Sequence, residues 1–272
     1  MKKNPLIAVQ IILVFCSLLT VLPFIWMFLT SFKTYEESIH IPMIIFPSSW
    51  NLNNYHEVLQ KFPFINFYIN TFTVMLVQVI GQLVICSLAA FAFARLNFPG
   101  KEIIFVLCLS VMMVPSQIFL IPQYSLMTAW HLTDTITALW LPRLFSVFGV
   151  FMLRQFFSVI PRDLDDAAKI DGCGYFVIYY RVLLPLVQPA LVSLGILIAL
   201  SSWKELMWPL IVNTSMKKQT LSAGLAYLIG EHTTIYPLVM AGGFMAVLPM
   251  IVIFFIFQRY FIEGIAHSGL KL

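Results

Sequence analysis

Six long apolar runs, at 4–32, about 67–94, 103–127, 135–157, 186–208 and about 237–257, alternate with short polar stretches. Each run reaches the ~20 residues that a helix needs to cross the hydrocarbon core of a bilayer. The pattern predicts six membrane-spanning helices with both chain ends on one side. Residues 33–66 are polar and punctuated by Pro42, Pro47 and Pro63, which marks a connection outside the bilayer. Within it, 51–59 repeats apolar residues at helical spacing and predicts a short interfacial helix. That helix serves either interfacial packing or contact with a substrate-delivering protein. Residues 95–101 read as a tight basic turn, 130–134 as a short loop, and the stretch with Lys217, Lys218, Glu231 and His232 as a longer one.

Composition sharpens this picture. Hydrophobic residues make up 60% of the chain and charged residues 10%, with a mean hydropathy of +0.91. A water-soluble domain carries about a quarter charged residues, so the chain is expected in a lipid bilayer. The net charge of +4 is explained by loop charges and calls for no nucleic-acid partner. Lys2 and Lys3 precede the first run, which exceeds the ~7–15 residues of a signal peptide's apolar region and lacks a small-x-small cleavage site, so a retained anchor is expected. Lys2, Lys3, Arg95, Lys101, Arg154, Arg162, Lys169, Arg181, Arg259 and Lys271 fall on one side, against Lys33, Lys61, Lys217 and Lys218 on the other. By the positive-inside rule both termini are cytoplasmic. Cys16, Cys86, Cys108 and Cys173 have no paired spacing, and suggest neither a disulfide framework nor a metal site.

The candidate chemistry is sparse. No phosphate-binding loop, H-E-x-x-H or G-x-S-x-G motif occurs, so an intramembrane enzyme lacks a local signature. An ion-coupled secondary carrier needs ionisable groups near mid-membrane, where the span centres offer mainly Gln78, Gln82 and Gln117. Two cations stand out: Arg143, about two turns into the fourth run, and Lys204 near the outer end of the fifth, beside Glu205. They either snorkel to the head groups, with Lys204 and Glu205 partly offsetting each other, or face a water-filled path and attract an acidic solute. Gln117, Tyr124, Trp203, Glu205 and Trp208 offer a stacking surface for sugar rings, or else packing and interfacial-belt residues, the reading preferred for Trp208. Gly81, Gly149, Gly195, Gly242 and Gly243 read as points of close helix packing.

Residues 161–189 are the polar island of the second half. Pro161 near the start, Asp163, Asp165 and Asp166 toward the positive end of the dipole, and Lys169 toward the other end predict a short helix. Gly172 and Gly174 stop it. Leu164, Ala167, Ala168 and Asp171 recur at i, i+3, i+4 and i+7, giving a face whose small central residues admit another surface. A second helix, 175–183, is expected to end against Pro185, because proline disfavours helical geometry in the residue before it.

The order Asp166-Ala167-Ala168, three residues, Gly172, nine residues, Val182, one residue, Leu184-Pro185 resembles the E-A-A…G…I-x-L-P loop of ABC-importer permeases, with Asp for Glu and Val for Ile. Together with LRQFFSVIPRDLDDAAKIDG, WKELMWPLIV and FQRYFIEGIAHSG, it makes the chain similar to the smaller permease of maltose-type sugar importers from about residue 46 onward. The resemblance implies an all-α type I importer permease fold, one transmembrane domain over 1–272, with 33–66 extracytoplasmic and 159–187 a cytoplasmic coupling loop in the cell membrane of a bacterium or archaeon. It further implies that Asp165, Asp166, Ala167, Ala168, Asp171, Gly172, Leu184 and Pro185 form the ATPase-coupling set, with Asp166 the polar contact, both alanines the docking face and Gly172 the turn. The implied partners are a second homologous permease, two ATP-binding subunits that hold ATP and Mg, an extracytoplasmic solute-binding protein and a sugar. No cofactor and no covalent step then belong to this chain. Arg143, Trp203, Lys204, Glu205, Gln117 and Tyr124 are the candidates for the substrate path. The family more often has a neutral polar residue where Lys204 stands in W-x-E, so an acidic sugar or sugar phosphate enters the expectation.

Overall fold

The computed structural model describes residues 5–229 and 234–269, so Lys2, Lys3, Glu231, His232 and Lys271 lie outside the described residues, as does the side chain of Arg259. The first apolar run forms α1 (Pro5–Thr30), whose apolar side chains from Val9 to Ile25 are exposed. The polar connection yields α2 (Tyr35–Ile39) and α3 (Asn53–Lys61), the latter two residues later than the pattern placed it. The second run forms α4 (Phe64–Arg95), 32 residues without a proline.

The third and fourth runs, each expected as one span, are broken, and the fifth gives a helix that stops short of the run's end at Trp208. The third is split into α5 (Lys101–Val111) and a 3-10 turn, Ser116–Phe119, leading into α6 (Leu120–Ala129), with a 94° bend between the halves. Pro115 has no amide hydrogen to donate and pushes Val114 out of helical geometry. The fourth is split into α7 (Ile136–Trp140) with a 3-10 turn, Leu141–Arg143, and α8 (Val147–Val159), bent by 45°. Pro142 lies in that turn, and the Ser146 hydroxyl restarts the helix by accepting the Gly149 amide at 3.2 Å. The polar island gives α9 (Asp163–Ile170), then α10 (Tyr175–Val177), a π-turn over Ile178–Leu183, and α11 (Leu184–Leu186), which meets α12 (Gln188–Trp203) at 79°. Pro185 therefore does not end its helix: the Leu184 amide reaches back to the Tyr179 carbonyl, and this wider turn accommodates the ring. α13 (Met207–Val212), α14 (Leu221–Ala226) and α15 (Tyr236–Gly269) complete the chain. Among the described residues, three helices are long and apolar enough to cross a membrane alone, and the count reaches six when each bent pair is one span. No strand occurs among the described residues.

Contacts divide the chain into two units, 1–64 with 224–253 and 65–223 with 254–272. In the first, the end of α1 is fastened to the connection that follows it. Phe28, Phe32, Trp50, Tyr55 and Phe244 form a chain of rings with centroids 5.0–6.2 Å apart, and Asn54 donates to the Ser31 and Lys33 carbonyls at 2.8 and 2.9 Å. Lys33, expected as an outer-side loop charge, is buried: its ammonium donates to the Ile44 carbonyl at 2.7 Å and lies 4.0 Å above the Trp26 ring. That burial lowers its pKa, opposed by the Glu37 carboxylate.

In the second unit, α4, α8, the π-turn and α12 enclose one core containing Phe91, Leu153, Phe157, Ile178, Leu183 and Leu194. A smaller core gathers Val74, Met127, Leu139, Trp208 and Val212. Gly81 is one close approach the sequence reading anticipates, since a Cβ there would stand 2.5 Å from the Leu144 side chain. Arg154 donates to both Glu102 oxygens at 3.0 and 3.1 Å and covers the Phe105 ring, which fastens α5 to α8.

Candidate functional site

The α9 helix is mounted by one face and open on the other. It ends as its glycine predicts: Gly172 adopts φ 80°, its amide donates to the Lys169 carbonyl at 2.9 Å, and the Cys173 amide reaches the Ala168 carbonyl at 2.9 Å. Asp165 and Ala168, three residues apart, point inward. Ala168 joins the core with Phe91 and Tyr179, whereas Asp165 stands with Oδ2 3.2 Å from Arg95 Nε, the two side chains 11% and 3% exposed. Arg95 also donates from Nη2 to the Ile160 carbonyl at 2.8 Å, so the last residue of α4 holds both α9 and the chain entering it. Leu164, Ala167, Ile170 and Asp171 are exposed. The expected face is thereby corrected. A helix turns 100° per residue, so once Asp165 is drawn to Arg95, Ala168 follows it inward and only Ala167 of the pair faces out. Asp166 is exposed and pairs with Lys169 at 3.0 Å, and this hydrogen bond raises the pKa of Lys169. Tyr175 and Phe176 extend the exposed face, Leu184 packs on the core and Pro185 is exposed. A cleft of about 440 Å³ lies between α9 and the end of α4, lined by Arg95, Asn97, Arg162, Asp165 and Tyr175 among others.

Near the middle of α4, side chains satisfy the backbone that the fourth span leaves open at its break. Gln78, Gln82 and Cys86 recur at i, i+4 and i+8 and donate to the carbonyls of Leu139 at 3.3 Å, Arg143 at 2.6 Å and Ser146 at 3.4 Å. The Trp208 indole donates to the Ala138 carbonyl at 2.8 Å. Within a bilayer no water replaces these donors, which is why irregular backbone there is found against protein or a water-lined cavity. A cleft of about 420 Å³ opens at the break, lined by Gln78, Gln82, Arg143, Ser146 and Ser201 with Phe148 and leucines of α12.

Of the residues expected along a path, Arg143 lines this cleft and Glu205 pairs with it, Nη2 to Oε2 at 2.7 Å. The expected offset between Lys204 and Glu205 is thus replaced. Lys204 caps the end of α12 and is exposed, while Glu205 turns back to Arg143 and accepts the Trp208 amide at 3.1 Å. Trp203 is buried edge-on against Phe72 at 5.2 Å, and Trp208, expected in the interfacial belt, is 1% exposed in the smaller core. Gln117 and Tyr124 are exposed and outside the lining of this cleft. In the loops, Asp134 accepts the amides of Thr214 and Ser215, the Ser215 hydroxyl and the Lys218 ammonium at 2.5–3.1 Å. Burial pushes its pKa up, but the Ser215 and Lys218 contacts outweigh that and hold it at about 2, so this tie weakens only as the pH falls from the ordinary carboxylate range toward that value.

The described geometry has a counterpart among known proteins. Residues 82–267 match the family described as binding-protein-dependent transport system inner membrane component. The chain belongs to this family. It is 33% identical over 99% of its length to the arabinooligosaccharides transport system permease protein AraQ of Halalkalibacterium halodurans, and covers 99% of that protein. With the sulfoquinovosyl glycerol transport system permease protein SmoH of Agrobacterium fabrum it shares 34% identity over 92% of this chain and 88% of that one. A solved bacterial ABC transporter involved in import of the acidic polysaccharide alginate superposes with a TM-score of 0.84 at 21% identity, over 96% of this chain and 98% of its own.

In this inner membrane component the sequence reading missed three things. Arg95 reads from sequence as a basic-turn and cytoplasmic-side charge, because nothing local ties it to a carboxylate 70 positions later. Gln78 and Gln82 were visible as polar residues in a span, and their i, i+4 spacing marked a shared helix face. Their partners are carbonyls that exist only because another span breaks. Asp134 was read within a short loop with no link to Lys218.

Proposed function

We propose that this chain is one permease subunit of an ATP-driven importer of a sugar or oligosaccharide, docking an ATPase on the outer face of α9. The observation that carries this reading is the divided helix: Leu164, Ala167 and Ile170 lie exposed on a polar loop, beside Tyr175 and Phe176, while Asp165 and Ala168 anchor the other face. An exposed apolar face that is rigidly mounted suits a partner's groove. Asp166 and Asp171 supply polar contacts, Gly172 the turn, and Leu184 and Pro185 the exit toward the membrane. Positive-inside charges support a cytoplasmic 159–187 and cytoplasmic termini, with 33–66 outside. A second homologous permease completes the path, two ATP-binding subunits hold ATP and Mg, and an extracytoplasmic binding protein delivers the solute. Chemistry on ATP belongs to those subunits, and the site is the cell membrane. Family membership disfavours the ion-coupled carrier.

Ala167→Glu places bulk and charge on the docking face without touching the core. Transport by the complex is expected to fall by roughly two orders of magnitude, as when a hot-spot contact worth ~2–4 kcal/mol is lost, while the chain stays folded. Purification of the complex with its ATPase bound, and uptake equal to the parent, refutes the docking face.

A neutral saccharide fits the cleft best, since the Arg143 charge is met by Glu205 and the remaining polar groups are amides and hydroxyls. The names of the relatives include arabinooligosaccharides and sulfoquinovosyl glycerol, and the solved neighbour imports alginate, so neutral and anionic solutes both occur among them. Lys204, exposed and without an ion pair among the described residues, favours an acidic sugar or sugar phosphate as the second reading. Lys204→Asn decides between them: reduced uptake of uronate-bearing relative to neutral oligosaccharides supports the acidic reading, and unchanged selectivity removes it.

A further inference from the structure

α4 touches both candidate regions through two stripes of its own surface. Near its C-terminal end, Ser87, Phe91 and Arg95, spaced i, i+4 and i+8, face the loop: Ser87 Oγ meets the Tyr179 hydroxyl at 2.7 Å, the Phe91 ring lies 5.3 Å from that of Tyr179, and Arg95 holds Asp165 and the Ile160 carbonyl. Closer to its middle, Gln78, Gln82 and Cys86 repeat the spacing and hold the break in the fourth span. Between Gln82 and Arg95 lie thirteen helical steps, about 20 Å, with no proline at which the helix bends. We propose that α4 is the rod that carries a displacement of α9 to the break at Arg143, with Arg95 as the positioning residue that receives it.

The chemistry suits that role. A planar guanidinium reaches a carboxylate and a carbonyl at once, so α9 cannot slide or rotate against α4 without breaking the buried Asp165 ion pair, and the chain that enters α9 is tied to the same group through the Ile160 carbonyl. Because the Arg143 carbonyl hangs on Gln82, an axial or rotational step of α4 moves the wall of the cleft with it. Displacement therefore passes through packed, hydrogen-bonded groups along one rigid element.

This inference rests on the docking of an ATPase at α9, and the test separates the two. In a chain whose four cysteines are changed to serine, Ser201→Cys reports on the cleft through its labelling rate with a membrane-impermeant methanethiosulfonate reagent. The chain is studied in its complex with the co-purifying subunits, with and without ATP and vanadate. ATP is expected to change the rate in the parent. Arg95→Lys, which keeps the charge but not the fork, is expected to shrink that change at least about fivefold while ATP hydrolysis persists. Gln82→Met is expected to shrink it as well, and the double variant to lose no more than the stronger single one, since both cut the same rod. Independent sites this far apart add their effects. An undiminished response in Arg95→Lys, or additive losses in the double variant, overturns the inference. Should Arg95→Lys fail to assemble, Phe91→Leu takes its place with the same expected result and the same overturning one. A parent that binds no ATPase and shows no ATP response overturns the docking reading, and the rod falls with it.

Discussion

Asp165→Leu is expected to destabilise the 65–223 unit by about 3–5 kcal/mol, because it leaves the Arg95 guanidinium buried without its carboxylate. Both side chains are nearly inaccessible, so water cannot take over the charge as it does at exposed pairs. The Coulomb attraction alone does not set the size of the effect: removing one partner costs more than the pair contributes, since the survivor keeps its desolvation penalty. For that reason the double variant Arg95→Met, Asp165→Leu is expected to recover most of the loss, although it also forfeits the bond to the Ile160 carbonyl. Thermal unfolding of the detergent-solubilised complex reads both variants. A single variant as stable as the parent, or a double variant worse than the single, would show that the pair is not the anchor of α9.

Trp208→Ala is the second large effect, at about 3–5 kcal/mol for a fully buried aromatic whose space no neighbour fills. Trp208→Phe separates its two roles. The phenyl ring keeps most of the packing with Val74, Met127 and Leu139, but the Ala138 carbonyl loses its donor, at a cost of about 1–3 kcal/mol. Nearby, Gln78 and Gln82 serve the same broken span, so the phenylalanine variant is also expected to loosen the Arg143–Glu205 pair and speed labelling of the cleft. If Trp208→Phe proves neutral in unfolding and labelling, the break does not depend on side-chain donors.

The spans were legible in the sequence because bilayer length and apolar composition are linear properties of a chain. The end of α9 was legible because a glycine follows its last turn, and Gly172 turns there with a positive φ. What escaped lies in the third dimension. Which alanine faces out depends on where Asp165 finds its counter-charge, and Arg95 is 70 positions away. Lys204 and Glu205 are adjacent in sequence, which suggested a pair, but Glu205 pairs across to Arg143 while capping α13. Trp208 sits at the end of an apolar run, where belt residues belong, yet the helix stops at Trp203 and the next one folds Trp208 inward. The bends were announced by Pro115 and Pro142, which an average over apolar residues does not weigh.

Those bends also bear on how the chain is made. A segment leaves the insertion machinery for lipid once it is long and apolar enough to stand there alone, and α1, α4 and the apolar part of α15 meet that condition. The 11 residues of α5 and the 13 of α8 span about 17 and 20 Å, well short of the ~30 Å core. At the break before α8, the open carbonyls of Ala138 and Arg143 find donors on α13 and α4, and α13 is synthesised last. The break in the fourth span therefore gains its full set of donors only after Trp208 has emerged from the ribosome, so truncation upstream of that residue leaves the Ala138 carbonyl open, a feature that quality-control proteases can meet.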